Sequence, residues 1–180
     1  MKMTREAGIV AALMLLAACA PRVEPAGPAI QAPALMANYF IQADGAALPF
    51  RRWLPDGTPR AIIVALHGFN DYSRAFEKPG AYWATRGIAT YAFDQRGFGQ
   101  APNRGLWAGH NTMVSDTLAV VSLIRVRHPG RPLFVAGESM GGAIAMIAVA
   151  RGALKTDGLI LVAPALRGRR YIGTFPRATL

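Results

Sequence analysis

From residue 61 onward, short apolar runs alternate with longer stretches in which apolar and polar positions are mixed. The runs "AIIVALHG" (61–68), "GIATYAFD" (87–94), "RPLFVAGES" (131–139) and "GLILVAPAL" (158–166) are nearly continuous in apolar residues. They predict strands covered on both faces. Residues 71–86 predict a helix with Phe76, Tyr82 and Trp83 facing inward. Residues 112–127 predict an amphipathic helix with Met113, Leu118, Val121 and Ile124 inward, stopped by Pro129-Gly130. Residues 140–151 predict a helix of small and apolar residues. Before this region, "NYFIQADGAALPFRRWLP" predicts two short strands about the Asp44-Gly45 turn. Strands alternating with helices over short connections predict an α/β fold, a mostly parallel sheet with helices on both faces.

The first nineteen residues have a different pattern. Lys2 and Arg5 precede an apolar run from Gly8 to Ala18, which is shorter than the roughly 20 residues that a membrane-spanning helix needs. The run ends in Leu16-Ala17-Ala18-Cys19. This resembles the lipobox of bacterial lipoproteins and implies a signal peptide over 1–19. Cys19 would then be lipidated and hold the chain in the cell envelope. Ala20 in place of an aspartate implies the outer membrane. An ordinary secretory signal, or an apolar leader with a buried cysteine, fits the same residues. Residues 20–37 carry four prolines and almost no charge, which predicts an extended tether reaching roughly 50 Å at about 3.1 Å per residue. The folded domain is expected over 38–180.

With 180 residues, 52% of them hydrophobic, the chain can bury one real core. The net charge of +10 comes mostly from scattered arginines, with one local cluster at Arg167, Arg169 and Arg170. Neither the composition nor any motif points to nucleic acid. Cys19 is the only cysteine, so no internal disulfide can form.

Gly137-Glu138-Ser139-Met140-Gly141 fits G-x-S-x-G after an apolar strand and before a helix, the setting in which a serine is held up as a nucleophile. An ester carbonyl attacked by Ser139 would develop an oxyanion needing two preorganised N–H donors. The residue after the nucleophile, Met140, is one candidate. Phe69, after His67-Gly68 at the end of an earlier strand, is the other. His67 precedes the serine and is expected to brace its loop.

"ALHGFNDYSRAF", "YAFDQRGFGQAPNRGLW", "VSDTL", "FVAGESMGGAIA" and "GLILVAPAL" together resemble the α/β-hydrolase fold, within it the monoacylglycerol lipase, lysophospholipase and serine aminopeptidase group. The resemblance covers about residues 40–166. It implies that Ser139 is the nucleophile, that Phe69 and Met140 form the oxyanion hole, and that Asp94, Arg96 and Asp116 are structural. It also implies a small ester or lipid substrate, a monoacylglycerol or a lysophospholipid, and no cofactor or metal. Glu138 departs from the histidine commoner in the lipases.

In this superfamily the acid and then the histidine follow the nucleophile. The residues after Ser139 hold one acid, Asp157, and no histidine. Asp157 is expected at the turn into the last strand. His110 is expected in the loop on the C-terminal side of the strands, near the start of the 112–127 helix, from where it could approach Ser139; His128 is expected at the opposite helix end, in solvent. The chain is therefore expected to be the N-terminal part of a hydrolase and inactive alone. The last apolar strand would be left as an exposed edge. The other readings are a non-catalytic, membrane-anchored binding lipoprotein on the same scaffold, and a peptidase or acyltransferase.

Overall fold

The computed structural model of the protein describes residues 23–166, and Glu24–Leu166 forms one compact unit. The leader and Cys19 lie outside the described residues. Seven strands form one sheet: β1 (Ala34–Leu35), β2 (Tyr39–Ile41), β3 (Ala47–Trp53), β4 (Ala61–Leu66), β5 (Ile88–Phe93), β6 (Leu133–Glu138) and β7 (Gly158–Val162). Their order is β1-β2-β3-β5-β4-β6-β7. β5, β4, β6 and β7 are parallel, while β1, β2 and β3 add antiparallel.

The parallel strands are apolar throughout because both faces are covered. In β4, Ile62, Val64 and Leu66 point into the larger core, beneath α2 (His110–Arg127) and α3 (Met140–Ala150). Ile63 and Ala65 point to the other face, where Phe76 and Trp83 cover them. Met113, Val121 and Ile124 of α2 are buried as expected, and Leu118 packs against the same core.

The segment 71–86 differs from its prediction. A 3₁₀ turn at Ser73–Phe76 leads into α1 (Glu77–Ala84). Pro79 falls in the first turn of α1, where its missing N–H costs no helical hydrogen bond. Adjacent helical residues are about 100° apart, so Tyr82 and Trp83 cannot both face the sheet. Trp83 does. Tyr82 is 55% exposed, with the Arg86 guanidinium 3.6 Å from its ring centroid.

A second correction concerns the expected tether. Residues 24–37 run along the domain instead of away from it. Glu24 N–H donates to the Trp107 carbonyl (2.8 Å), and Ile30 N–H to that of Ala43 (2.8 Å). Ala26 N–H donates to Thr112 Oγ1 (3.2 Å) and Gly27 N–H to Asp44 Oδ2 (3.1 Å). β1 then pairs with β2. A proline-rich strand keeps enough N–H groups between its prolines to be stapled this way.

β7 is less buried than the other parallel strands. Ile160 and Leu161 are 38% exposed and Val162 is 54% exposed. Among the described residues no strand pairs with its outer side.

Candidate active site

β6 lies between β4 and β7, and at its C-terminal end the chain reverses into α3. Ser139 forms the corner with φ 46° and ψ −110°. A non-glycine residue in that region costs on the order of 1–3 kcal/mol, and the surroundings must over-determine it. They do so from both sides of the peptide. Ser139 N–H donates to the Val162 carbonyl (3.0 Å), and its own carbonyl accepts from Ala143 (3.1 Å) and Ala165 (2.9 Å).

Glycines make the corner possible. A Cβ on Gly137 would lie 2.6 Å from the Gly141 carbonyl carbon. One on Gly141 would overlap the Leu66 carbonyl oxygen and lie 2.6 Å from its carbon. A Cβ on Gly142 would meet that of Pro164 at 2.9 Å. α3 therefore rests directly on the backbone of β4 and β6.

The end of β4 passes beside the serine. A Cβ on Gly68 would be 3.5 Å from Ser139 Cβ, which is ordinary contact. His67 is fully buried, and each of its ring nitrogens is engaged. Gln95 N–H donates to Nε2 (3.0 Å), so Nε2 holds the lone pair and Nδ1 the proton. Nδ1–H in turn donates to the Gly68 carbonyl (2.8 Å). Gln95 completes the clamp by donating from Nε2 to the His67 carbonyl (2.8 Å). Burial pushes the His67 pKa below its ordinary value, although the Gly68 carbonyl, Asp94 and Asp71 pull the other way. With both nitrogens occupied, His67 is a brace and not an available base.

This brace sets the direction of the next amide. The Gly68–Phe69 peptide is trans, so its N–H points opposite to the carbonyl held by His67. Met140 N–H is the first amide of α3 and has no intrahelical acceptor, at the end of the helix where the dipole favours negative charge. Ser139 thus stands between the first turn of a helix and a loop whose peptide orientation is locked.

The other candidates fall elsewhere. Asp157 Oδ2 accepts from Leu133 N–H (2.7 Å) and from Arg125 Nη2 (3.0 Å). It is thereby pinned at the start of β6, a strand length of about 20 Å from Ser139. His128 Nε2 is 2.8 Å from Tyr91 OH, also on the chain leading into β6. His110 is exposed on the first turn of α2. Glu138 is half-buried at the end of β6. Among the described residues no three His, Cys, Asp or Glu side chains gather as a metal site.

Asp94 and Arg96 build the loop behind the site. Asp94 Oδ1 accepts from Ser73 N–H and Oδ2 from Gln100 N–H, both at 2.8 Å. Arg96 is buried between two carboxylates. Its Nε and Nη2 donate to Asp116 (2.9 Å each), and its Nη1 (2.7 Å) and Nη2 (3.1 Å) to Asp44. Burial opposes ionisation of Asp44, but Arg96 and the Ala46 and Gly27 amides outweigh it and hold that carboxyl below its ordinary value. At the more enclosed Asp116, burial prevails over Arg96 and pushes the carboxyl up. Two bidentate hydrogen-bond sets on one guanidinium favour the ionised triad. The sequence reading treated Asp44 only as a turn residue and gave Gln95 no role.

A cavity of about 410 Å³ opens beside the Gly68–Phe69 loop, with Phe69, Tyr72, Phe98, Arg104, Leu106 and Trp107 among its walls. The rings of Phe69 and Phe98 meet edge to face with centroids 5.4 Å apart. Ser139 adjoins this cavity through the Gly68–Phe69 loop without lining it.

This geometry agrees with what the chain is similar to. The family described as serine aminopeptidase, S33, matches residues 57–180. The chain belongs to that family of α/β-hydrolases. It is 33% identical over 127 residues to the human monoglyceride lipase, covering 70% of this chain and 42% of that one. To the monoacylglycerol lipase of Mycolicibacterium smegmatis it is 27% identical over 130 residues, covering 72% and 46%. The fold superposes on a soluble variant of the Saccharomyces cerevisiae monoglyceride lipase in complex with a substrate analog, with a TM-score of 0.60, 26% identity and coverage of 77% and 47%. The chain spans less than half the length of these relatives.

Proposed function

We propose that the chain carries the nucleophile half of a serine ester hydrolase acting on monoacyl esters, a monoacylglycerol or a lysophospholipid. The observation that supports this most is the strained Ser139 corner facing the braced Gly68–Phe69 peptide. Ser139 Oγ attacks the ester carbonyl while a base takes its proton. The resulting oxyanion is held by the Phe69 and Met140 amides. Collapse expels the alcohol and leaves an acyl group on Ser139, which water then removes. His67, on the loop beside Ser139, has both ring nitrogens occupied, so this reading needs its acid and base from elsewhere.

A reading frame that continues past codon 180 with an aspartate and a histidine would supply them. The longer chain should then hydrolyse p-nitrophenyl butyrate and monoacylglycerol, and Ser139→Ala should abolish both activities. The 180-residue chain should stay at the Ser139→Ala background. Turnover by the 180-residue chain that depends on Ser139 would contradict the assignment of the base. Assaying aminoacyl amides alongside the esters separates a peptidase from a lipase. The second reading is a non-catalytic, membrane-anchored binding lipoprotein on this scaffold, for which Ser139 would be unreactive.

We further propose that Cys19 is lipidated and places the protein in the bacterial cell envelope, at the outer membrane, on the strength of Leu16-Ala17-Ala18-Cys19. Globomycin should block processing of the chain and leave Cys19→Ser unaffected. Identical processing and membrane association of the two would overturn the anchor.

A further inference from the structure

The strap at 24–37 determines where the chain meets the domain. Glu24 N–H is held by the carbonyl of Trp107, and Trp107 is a wall of the cavity beside Phe69. Four residues, 20–23, lie between Cys19 and Glu24, so five Cα-to-Cα steps span at most about 18 Å of extended chain. A lipid on Cys19 would therefore keep this side of the domain near the bilayer, with none of the freedom of a long tether.

The cavity lip has the chemistry for that position. Phe69 is 62% exposed and Tyr72 37% exposed. Arg104 is exposed beside them and makes no salt bridge among the described residues. Asp71 also lines the cavity, but its Oδ1 accepts from Tyr72 N–H at 2.8 Å. Arg51 lines the adjoining cavity, which shares Tyr72 and Arg104. Aromatic rings with one wet end, together with cations on flexible stems, suit the headgroup region of an anionic bilayer.

We propose that Phe69, Tyr72, Arg104 and Trp107 form a docking lip that seats on anionic phospholipid, turning the Ser139 loop toward the membrane surface. The inference deepens the proposed function, in that monoacyl lipids would be taken directly from the bilayer. The short tether rests on the lipidation of Cys19; the chemistry of the lip does not.

The test uses the full lipoprotein reconstituted into phosphatidylethanolamine–phosphatidylglycerol vesicles, and does not depend on turnover. A lipidated Cys19 takes no maleimide, so an introduced cysteine is the only reactive thiol. An environment-sensitive dye is placed at Gln100→Cys, beside the lip, or at Lys155→Cys, near the start of β6. The dye at 100 should shift to the blue and be quenched by lipid-borne quenchers at least fivefold more than the dye at 155. Adding Tyr72→Ser and Arg104→Glu should cut that difference at least threefold, to what the tether alone imposes, while leaving the unfolding temperature in place. Equal quenching at 100 and 155, or a difference that the double substitution leaves unchanged, would overturn the proposal. Labelling of the parent chain at Cys19 would refute the anchor instead. The same two probes on chains carrying Cys19→Ser would then decide the lip by the same criterion.

Discussion

Gly141→Ala tests how α3 is seated on the sheet. The new methyl group would overlap the Leu66 carbonyl oxygen, and would lie 2.6 Å from its carbon and 2.7 Å from Leu66 Cβ. Leu66 is fully buried at the end of β4, which is paired on both sides by β5 and β6 and cannot retreat. Relief therefore requires α3 to lift by about 1 Å, which also disturbs the Ser139 corner. Overpacking costs about 1–3 kcal/mol, and an obstacle made of backbone belongs at the upper end. Against this, alanine gains up to about 1 kcal/mol over glycine in a helix. The net loss should be about 2 kcal/mol, a fall in Tm of roughly 4–8 °C for a domain of this size. Circular dichroism melting of the variant beside the parent chain measures it. Gly68→Ala is the control, since its methyl would sit 3.5 Å from Ser139 Cβ and should cost under about 1 kcal/mol. A Gly141→Ala chain that melts at or above the parent temperature would refute the reasoning.

Arg96→Met leaves two buried carboxylates without their cation and should cost about 3–5 kcal/mol, read from denaturant midpoints. Adding Asp44→Asn and Asp116→Leu should restore most of that loss. The depressed pKa of His67 means that the unfolded chain takes up a proton before the folded one. Its contribution is therefore present above the unfolded value of about 6.5 and is lost as pH falls from there through the folded pKa. His67→Gln should flatten that slope without abolishing it, because burial also depresses His128. Ile160→Lys, on the exposed side of β7, should raise the monomer fraction in light scattering; more aggregation would contradict the exposed-edge reading.

The parallel core was legible because continuous apolar runs have one economical solution, a strand covered on both faces. The Ser139 corner was legible for a similar reason, since the glycines at 137 and 141 serve a single steric purpose. Tyr82 was misplaced because apolar side chains crowd α1 and only the fold decides which of two adjacent rings faces the sheet. The strap was misread because its prolines indicate an extended backbone but not the surface it lies against. The Arg96–Asp44 pair spans 52 residues, and Gln95 occupies a variable position of its loop motif, so neither left a local signal. A base for Ser139 was absent from the pattern downstream of it, and His67, on the loop beside it, is occupied at both ring nitrogens.

The central claim is that the corner at residue 139 is a preorganised nucleophile site. Its most direct test is reaction of the full chain with an alkyl fluorophosphonate, mapped by peptide mass spectrometry. The donors proposed at Phe69 and Met140 would stabilise charge on the phosphoryl oxygen at Ser139 and have no counterpart beside a serine on an exposed helix face. The account predicts one adduct, on Ser139, formed at least a hundredfold faster than on Ser115 or Ser122, which are exposed on α2. Modification of Ser139 no faster than of those two serines would contradict it.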